Sequence, residues 1–234
     1  MSLPTIGDFD YTLLPGNGLL SEESLELHNR TFVFWNEFWA NVFKEISGEK
    51  VRKDDFHRQN IVCILTHKSE IAAVHLYSYF HLDSLAATEH SYFQANYSGV
   101  SLELLRRSGV RSVMSMEYLT LNEKYRRSKI GLPIASVVIG LGYRVLCESG
   151  CQAMIAPCRR DLKVDVRAAE YGAEPFSEEF IHHEVPVVLM MTRTDRVQEH
   201  PDPEVRSSIE ELWTRKKNYF DRAPFSAGAW KKAS

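Results

Sequence analysis

The stretch "LNEKYRRSKIGLPIASVVIGLGY", residues 121–143, decides how the rest of the chain is interpreted. Arg126, Arg127 and Lys129 lie close together, Gly131 follows, and an apolar run comes after the next proline. A helix that begins behind such a cluster directs free backbone N–H groups and the positive end of its dipole at whatever lies in front of it. Glycine also allows close approach of the backbone. The stretch therefore fits a phosphate or pyrophosphate site, and on local chemistry it fits a solvated basic turn equally well.

The composition limits the class of protein. The chain has 234 residues, of which 44% are hydrophobic and 25% are charged, as in ordinary globular proteins. Its net charge is −3, so no overall positive field is available to hold nucleic acid, and we expect no nucleic-acid partner.

The cysteines and the apolar segments indicate the environment of the protein. The cysteines make no CxxC pair and match no common zinc spacing, so we expect no metal; they are Cys63, Cys147, Cys151 and Cys158. Scattered cysteines behind a polar, acidic N-terminal segment are typical of a reducing cytosol, which predicts a cytoplasmic protein. The longest apolar run, residues 130–143, is too short to span a bilayer, so no integral membrane segment is expected.

The order of the predicted elements indicates the fold class. A helix is predicted after Ser21, then a hairpin, a strand, the basic cluster, and alternating helices and strands that end in one long strand at residues 182–193. We predict an α+β (mixed α/β) fold in which a mixed central sheet of about six to seven strands is flanked by helices. Residues 1–200 form its single domain, and residues 201–234 add a C-terminal helix and a mobile tail that pack on the domain or extend from it.

Two groups of aromatic residues are candidates for a pocket. Phe34, Trp35 and Phe38 belong to the apolar side of the first helix, which either packs on the sheet or partly lines a pocket for a long apolar group. Tyr77 and Tyr79 share one face of a strand because side chains alternate with a period of two. That face is either a polar cleft or a half-exposed sheet surface.

Glu117 is a lone carboxylate in the middle of the strand that precedes the basic cluster. Strict alternation places Glu117 on one face together with Leu119 and Leu121. Charged residues are uncommon in strands and costly when buried, so Glu117 is either a functional group or a strand glutamate paired with an arginine.

The order of strand, basic loop, helix, strand, helix and strand resembles the GNAT superfamily of N-acyltransferases over roughly residues 20–193. The family signature is Arg or Gln, two residues, Gly, one residue, and Gly or Ala. Arg126 matches the first position and Gly131 the last, whereas Lys129 stands where the first glycine is expected. The resemblance implies that loop 126–132 holds the pyrophosphate of coenzyme A or acyl-CoA, with Arg127, Ile130 and Leu132 taking part. It also implies that backbone groups around Leu119 and Leu121 polarise the thioester carbonyl.

Within that superfamily, "MEYLTLNEKYRRS" is similar to the acyl-homoserine-lactone synthases and the long-chain N-acyl amino acid synthases. The resemblance implies a transferase that moves an acyl group from CoA, or from acyl carrier protein, to a small-molecule amine, with Glu117 as general base. The tyrosine that many GNAT acetyltransferases use as general acid falls at Ala168, and Tyr171 is three residues out of register. The alternatives are a catalytically degenerate GNAT-like module that binds CoA or a protein, and an unrelated α/β domain with a phosphate loop. The sequence indicates no oligomeric state.

Overall fold

The computed structural model describes residues 3–17 and 20–220, so the predicted tail from residue 221 onward lies outside the described residues. The strands are β1 (Phe9–Pro15), β2 (Ile61–His67), β3 (Glu70–His81), β4 (Ser112–Leu121), β5 (Ala153–Arg159), β6 (Glu174–Pro175), β7 (Phe180–His182), β8 (Val185–Arg193) and β9 (Lys217–Asn218). The helices are α1 (Glu22–Ile46), α2 (Asp54–His57), α3 (Leu85–Thr88), α4 (Ser91–Asn96), α5 (Gly99–Arg107), α6 (Arg127–Ile130), α7 (Ile134–Ser149), α8 (Val164–Ala169) and α9 (Pro203–Thr214).

The strands form one mixed sheet in the order β6-β8-β5-β4-β3-β2-β1-β9, with β7 beside β8. Neighbouring strands are antiparallel except for the parallel pairs β4–β5 and β1–β9. The predicted fold class is confirmed. The sheet has more strands than predicted because β6, β7 and β9 are only two or three residues long, too short to show any hydrophobic alternation.

The last predicted strand proves to be a hairpin. β7 ends at His182, and β8 begins only at Val185. The two residues between them, His183 and Glu184, have positive φ values of 47° and 62°, as a tight two-residue hairpin turn requires. Neither residue is a glycine or an asparagine, so the sequence carries no clear turn signal at this point.

Helix α1 covers one face of the sheet. The Ser21 side chain accepts a hydrogen bond from the Ser24 N–H, and the helix stops before Gly48, whose φ of 72° is left-handed. Trp35 is fully buried against strand residues such as Leu76, while the distal half of the helix is only partly covered. α2 to α5 continue this layer, and Phe80 and Tyr92 belong to its second apolar cluster.

Helices α7, α8 and α9 cover the opposite face. α7 repeats apolar residues at helical spacing and ends at Gly150, whose φ is 76°. α9 lies against α7, where the close approach depends on Gly140, because a Cβ there would meet Ile209 at 2.2 Å. The C-terminal helix is therefore part of the main apolar core. Within the described ranges, none of the helices combines the length and the hydrophobicity of a membrane span.

Candidate active site

The parallel strands β4 and β5 diverge in the middle of the sheet. They pair at three positions, and the last pair is Ser115 with Ile155. β4 nevertheless continues to Leu121 and β5 to Arg159. The two strands therefore form a V-shaped opening beyond Ser115, where the edge of β4 that faces β5 has no ladder partner. Backbone groups left free along such an edge can bind an extended ligand.

A β-bulge on β4 lies at the start of this opening. β3 supplies one residue between its partners of Glu117 and Thr120, whereas β4 supplies two, Tyr118 and Leu119. Tyr118 has a φ of 52°, which is unusual for a bulky residue. The bulge reverses the alternation, so that Leu119 and Leu121 pack towards α7 while Glu117 faces the α1 side. The prediction that Glu117 shares a face with Leu119 and Leu121 is wrong for this reason.

Glu117 is buried and held by a network of polar side chains. Arg58 donates from Nη1 to Oε1 at 3.2 Å and from Nη2 to Oε2, a two-pronged contact, and Ser115 Oγ donates to Oε1 at 2.6 Å. Arg58 Nε also donates to Asp55 Oδ1 at 3.1 Å, and the Tyr118 hydroxyl donates to Asp55 Oδ2. Residues from α2, the loop after it and β4 therefore share one cluster, which we call the acidic cluster (Asp55, Arg58, Ser115, Glu117, Tyr118).

The electrostatics of the acidic cluster suit a proton acceptor. Burial raises the pKa of the Glu117 carboxyl above its ordinary value, although Arg58 and Ser115 oppose the shift. Two carboxylates surround one guanidinium, so the ionised cluster carries a net negative charge that attracts a cation. At the vertex of the opening, the Tyr92 hydroxyl donates to the Ile155 carbonyl at 3.3 Å and lies 3.2 Å from the Tyr97 hydroxyl. These tyrosines border the same side of the sheet as Glu117.

A small apolar cavity occupies the other side of the opening, beneath α7 and α8. We call it the helix-side cavity. Its walls come from β4, β5 and β8 below and from the two helices above. The lining residues are Met116, Ile139, Tyr143, Met154, Ala156, Cys158, Val164, Ala168, Met190 and Thr192.

The basic loop joins the end of β4 to the start of α7. The Tyr125 hydroxyl donates to Glu70 Oε2 at 2.9 Å, and the buried Ile130 packs into the core, so the loop is anchored at both ends. Arg126 pairs with Glu123 at 2.9 Å and stays largely exposed, as do Arg127 and Lys129 in the exposed turn α6.

Gly131 gives the loop its last bend. Its φ is 79°, and a Cβ built on it would meet nothing within 4 Å, so glycine is required by the backbone conformation and not by crowding. Proline is common at the first position of a helix, but Pro133 lies one residue before the first helical residue and is the N-cap of α7. The loop and the helix start thus lie at the end of β4 from which the opening with β5 widens.

No group of three or more His, Cys, Asp or Glu side chains that could hold a metal occurs in residues 3–17 and 20–220.

Several solved structures share this architecture. An N-acyl amino acid synthase from uncultured soil microbes has 9% sequence identity and a TM-score of 0.53, covering 81% of this chain and 93% of its own. A CoA-dependent acyl-homoserine lactone synthase has 12% identity and a TM-score of 0.55, covering 97% and 100%. The Drosophila melanogaster polyamine N-acetyltransferase, which forms N-acetylagmatine, has 12% identity and a TM-score of 0.52, covering 79% and 100%. No protein-family model and no curated protein matches the sequence.

The chain has the GNAT fold. At sequence identities this low, the structural similarity shows the fold alone, and a fold does not determine the chemistry of its site. In this chain the diverging strands are β4 and β5, and α7 follows the loop that runs from Arg126 to Leu132.

The residues predicted to bind the acyl donor lie together at one end of the opening. Leu119 and Leu121 precede the loop on β4, and the loop residues Arg126, Arg127, Lys129, Ile130, Gly131 and Leu132 follow directly. The predicted pocket residues do not lie together: Phe34, Trp35 and Phe38 are on the α1 side of the sheet, whereas Tyr77 and Tyr79 pack on the α7 side. Tyr77 is fully buried in the core beneath α7, so at this position the face is neither a polar cleft nor a half-exposed sheet surface.

Tyr171 does not occupy the place of Ala168, the position where a tyrosine is expected from the sequence. Ala168 lines the helix-side cavity, whereas the Tyr171 hydroxyl donates to the Ser136 carbonyl at 2.6 Å and does not line it. Three residues that the structure places at the candidate site are not identified from the sequence, namely Asp55, Arg58 and Tyr143. Asp55 and Arg58 lie three residues apart in a charged stretch that resembles an ordinary surface helix, so only the distant contact with Glu117 reveals them.

Proposed function

We propose that the protein is an N-acyltransferase that moves an acyl group from a coenzyme A thioester to a small-molecule amine. The observation that carries the proposal is the opening between β4 and β5, which has the helix-side cavity on one face and the acidic cluster on the other. A donor and an acceptor that enter from opposite faces meet in such an opening. The shared architecture with N-acyltransferases supports this assignment.

The basic loop is the binding site we propose for the donor pyrophosphate. Exposed Arg126, Arg127 and Lys129 supply positive charge, and the first N–H groups of α7 have no partner within the helix. At the position of Lys129 a glycine would offer the phosphate only backbone groups. In this proposal the Lys129 ammonium adds a direct contact with the phosphate. Acyl carrier protein also presents a phosphate ahead of its thioester arm, and its acidic surface would be drawn to the same side chains.

Glu117 is the general base in this proposal. The attacking amine must lose a proton as its nitrogen bonds to the thioester carbonyl carbon, and the carbon–sulfur bond then breaks to release the thiol and the amide. The Glu117 carboxylate takes that proton, directly or through a water, and its raised pKa makes it a stronger base. The net negative charge of the acidic cluster attracts an amine that arrives as an ammonium ion.

Backbone groups of β4 are the proposed source of carbonyl polarisation. Beyond Ser115 the edge of β4 that faces β5 is free of ladder bonds. N–H groups around Leu119 and Leu121 on that edge would stabilise the negative charge that develops on the thioester oxygen.

The test is release of free thiol. The protein is incubated with acyl-CoAs from acetyl to long-chain and with a panel of amines that includes amino acids and polyamines, and the thiol is measured with a chromogenic reagent. We expect amine-dependent thiol release with at least one donor. The acyl thioester of acyl carrier protein is assayed in parallel, because it distinguishes the two phosphate-bearing donors.

The same assay separates the enzyme from a binding module. Thermal stabilisation by CoA together with no thiol release from any donor would assign the chain to a catalytically degenerate binding protein. Absence of thiol release and of any stabilisation, with CoA and with carrier protein alike, would remove the donor site itself from consideration.

A further inference from the structure

The helix-side cavity has an apolar floor and a polar spot on its wall. Three methionines, Met116, Met154 and Met190, come from the strands below. Methionine side chains are flexible and polarizable, so this floor adapts to an inserted chain. The lining residues with hydroxyl groups are Tyr143 from α7 and Thr192 from β8. Tyr143 lies about 14 Å along α7 from its first residue, so a donor with its phosphate at the helix start reaches Tyr143 only with an extended arm.

The hydrogen bond between these hydroxyls leaves the Tyr143 proton available. Thr192 Oγ1 donates to the Tyr143 Oη at 3.1 Å, and both side chains are buried. Tyr143 therefore acts as acceptor in this bond, and its own O–H can serve a third group. Its ring is fixed by contact with Tyr171 at a centroid distance of 5.0 Å. A pre-positioned, neutral O–H donor in an apolar cavity is suited to stabilise a developing negative charge.

We propose that Tyr143 hydrogen-bonds to the sulfur of the donor thioester as the carbon–sulfur bond breaks, and so stabilises the departing thiolate. The inference rests on the proposed function and names the group that assists its leaving step. The electron pair of the broken bond goes to sulfur, the amine proton goes to the base on the other side of the sheet, and the thiolate takes its proton from solvent after release.

Full proton transfer from Tyr143 is not part of the proposal. Burial raises the pKa of the Tyr143 hydroxyl, and even in water a phenol, with a pKa of about 10, holds its proton more tightly than an alkyl thiol, with a pKa of about 8.5. Transfer of the proton to the thiolate would therefore be uphill, whereas donation of a hydrogen bond is favourable. The role differs from that of a general acid, and it predicts that the bound thiol is more acidic beside the Tyr143 hydroxyl than in a protein that lacks this hydroxyl.

The test measures the acidity of bound coenzyme A. The protein is saturated with CoA and titrated, and the thiolate is followed by its ultraviolet absorbance against a reference saturated with desulfo-CoA, which lacks the sulfur. In the wild type we expect the acid dissociation constant of the bound thiol to exceed that in Tyr143→Phe by roughly 10- to 100-fold, the effect of one hydrogen bond to a charged group. Thiol release in the acyl-transfer assay should fall by a similar factor in Tyr143→Phe.

Two further variants keep the test decisive. Tyr171→Phe removes a buried hydroxyl that bonds to the Ser136 carbonyl and does not line the cavity, so it should leave the acidity of the bound thiol unchanged. Thr192→Val should shift the acidity in the same direction as Tyr143→Phe but less, and it carries the test if Tyr143→Phe does not fold. Equal thiol acidity in wild type and Tyr143→Phe would overturn this inference alone. A wild type that neither binds CoA nor releases thiol would overturn the proposed function, and this inference with it.

Discussion

At the residue scale, the pairing of Glu117 with Arg58 decides what the carboxylate can do. A buried carboxylate without a partner would become protonated and lose its use as a base near neutral pH. Arg58 opposes this by contacting both carboxylate oxygens, and its third nitrogen is bound to Asp55. The arginine pairing and the base role, which are alternatives on sequence grounds, are therefore compatible, because Arg58 favours the ionised carboxylate while burial raises its pKa.

Arg58→Gln should move the acid limb of the pH–rate profile to higher pH. Without the guanidinium, the buried Glu117 and the partly buried Asp55 have no cation between them, so the pKa of Glu117 rises further and deprotonation needs a higher pH. Glu117→Gln should remove the limb and lower the rate by about 10²- to 10⁴-fold. The measurement is kcat/KM against pH. If Arg58→Gln lowers the maximum of kcat/KM but leaves the acid limb at the same pH, Glu117 is not the titrating group.

The buried His75 should make stability depend on pH. His75 lies between the Tyr11 and Tyr77 hydroxyls, 3.1 Å from the first, and burial lowers its pKa from 6.5 to about 3. Between these values the unfolded chain binds a proton that the folded chain does not, so stability is lost as the pH falls below 6.5. We expect this group to contribute a slope of up to about 1.4 kcal/mol per pH unit in the free energy of unfolding.

Denaturant unfolding of His75→Gln across this range checks that slope. The variant should be less stable at neutral pH, because it disturbs two hydroxyl partners, but its stability should depend less steeply on pH. The same change at exposed His57 is the control and should preserve the wild-type slope. Parallel curves for His75→Gln and wild type would contradict the expectation.

At the element scale, β4 shows where prediction from sequence succeeds and where it stops. The alternation of residues identifies the strand, and the position of Glu117 within it follows from the sequence. The bulge at Tyr118 cannot be predicted from the sequence, because it depends on pairing with β3. It also places a bulky residue at a positive φ, for which the neighbouring residues give no signal. One inserted residue therefore reverses the facing of Leu119 and Leu121 at the start of the opening between β4 and β5.

Helix α7 should tolerate no side chain at Gly142. A Cβ there would lie 2.3 Å from the Tyr77 hydroxyl and 2.3 Å from Met116 Cε, which lines the helix-side cavity. Gly142→Ala should destabilise by about 1–3 kcal/mol through overpacking, which outweighs a gain in helix propensity of up to about 1 kcal/mol. Gly99→Ala in α5, where a Cβ meets nothing within 4 Å, is the control and should leave the melting temperature unchanged or raise it. A Gly142→Ala variant as stable as wild type would show that α7 can move off the sheet.

At the scale of the whole molecule, local signals predict the element order and distant contacts build the site. The N-cap of α1, the glycine that ends α7 and the position of the basic loop can be predicted because each depends on residues close in sequence. The contact between Arg58 and Glu117 joins residues 59 positions apart, and the helix-side cavity collects side chains from three strands and two helices. Their meeting depends on sheet register and helix packing, which no stretch of sequence encodes by itself.

The packing of α9 predicts that the C-terminal helix unfolds together with the rest of the chain. Leu212 is fully buried in the core that α9 shares with α7, and Trp213, whose indole N–H donates to Glu148, gives a fluorescence signal from the same helix. Leu212→Ala should cost about 2–5 kcal/mol and shift the far-ultraviolet circular dichroism and tryptophan fluorescence transitions together. Leu85→Ala makes the same chemical change at a site that is 80% exposed and should alter stability by less than about 0.5 kcal/mol. An early fluorescence change, at lower denaturant than the circular dichroism change, that Leu212→Ala shows and that Trp213→Phe abolishes would make the helix a separate unit, with residues 1–200 folding without it.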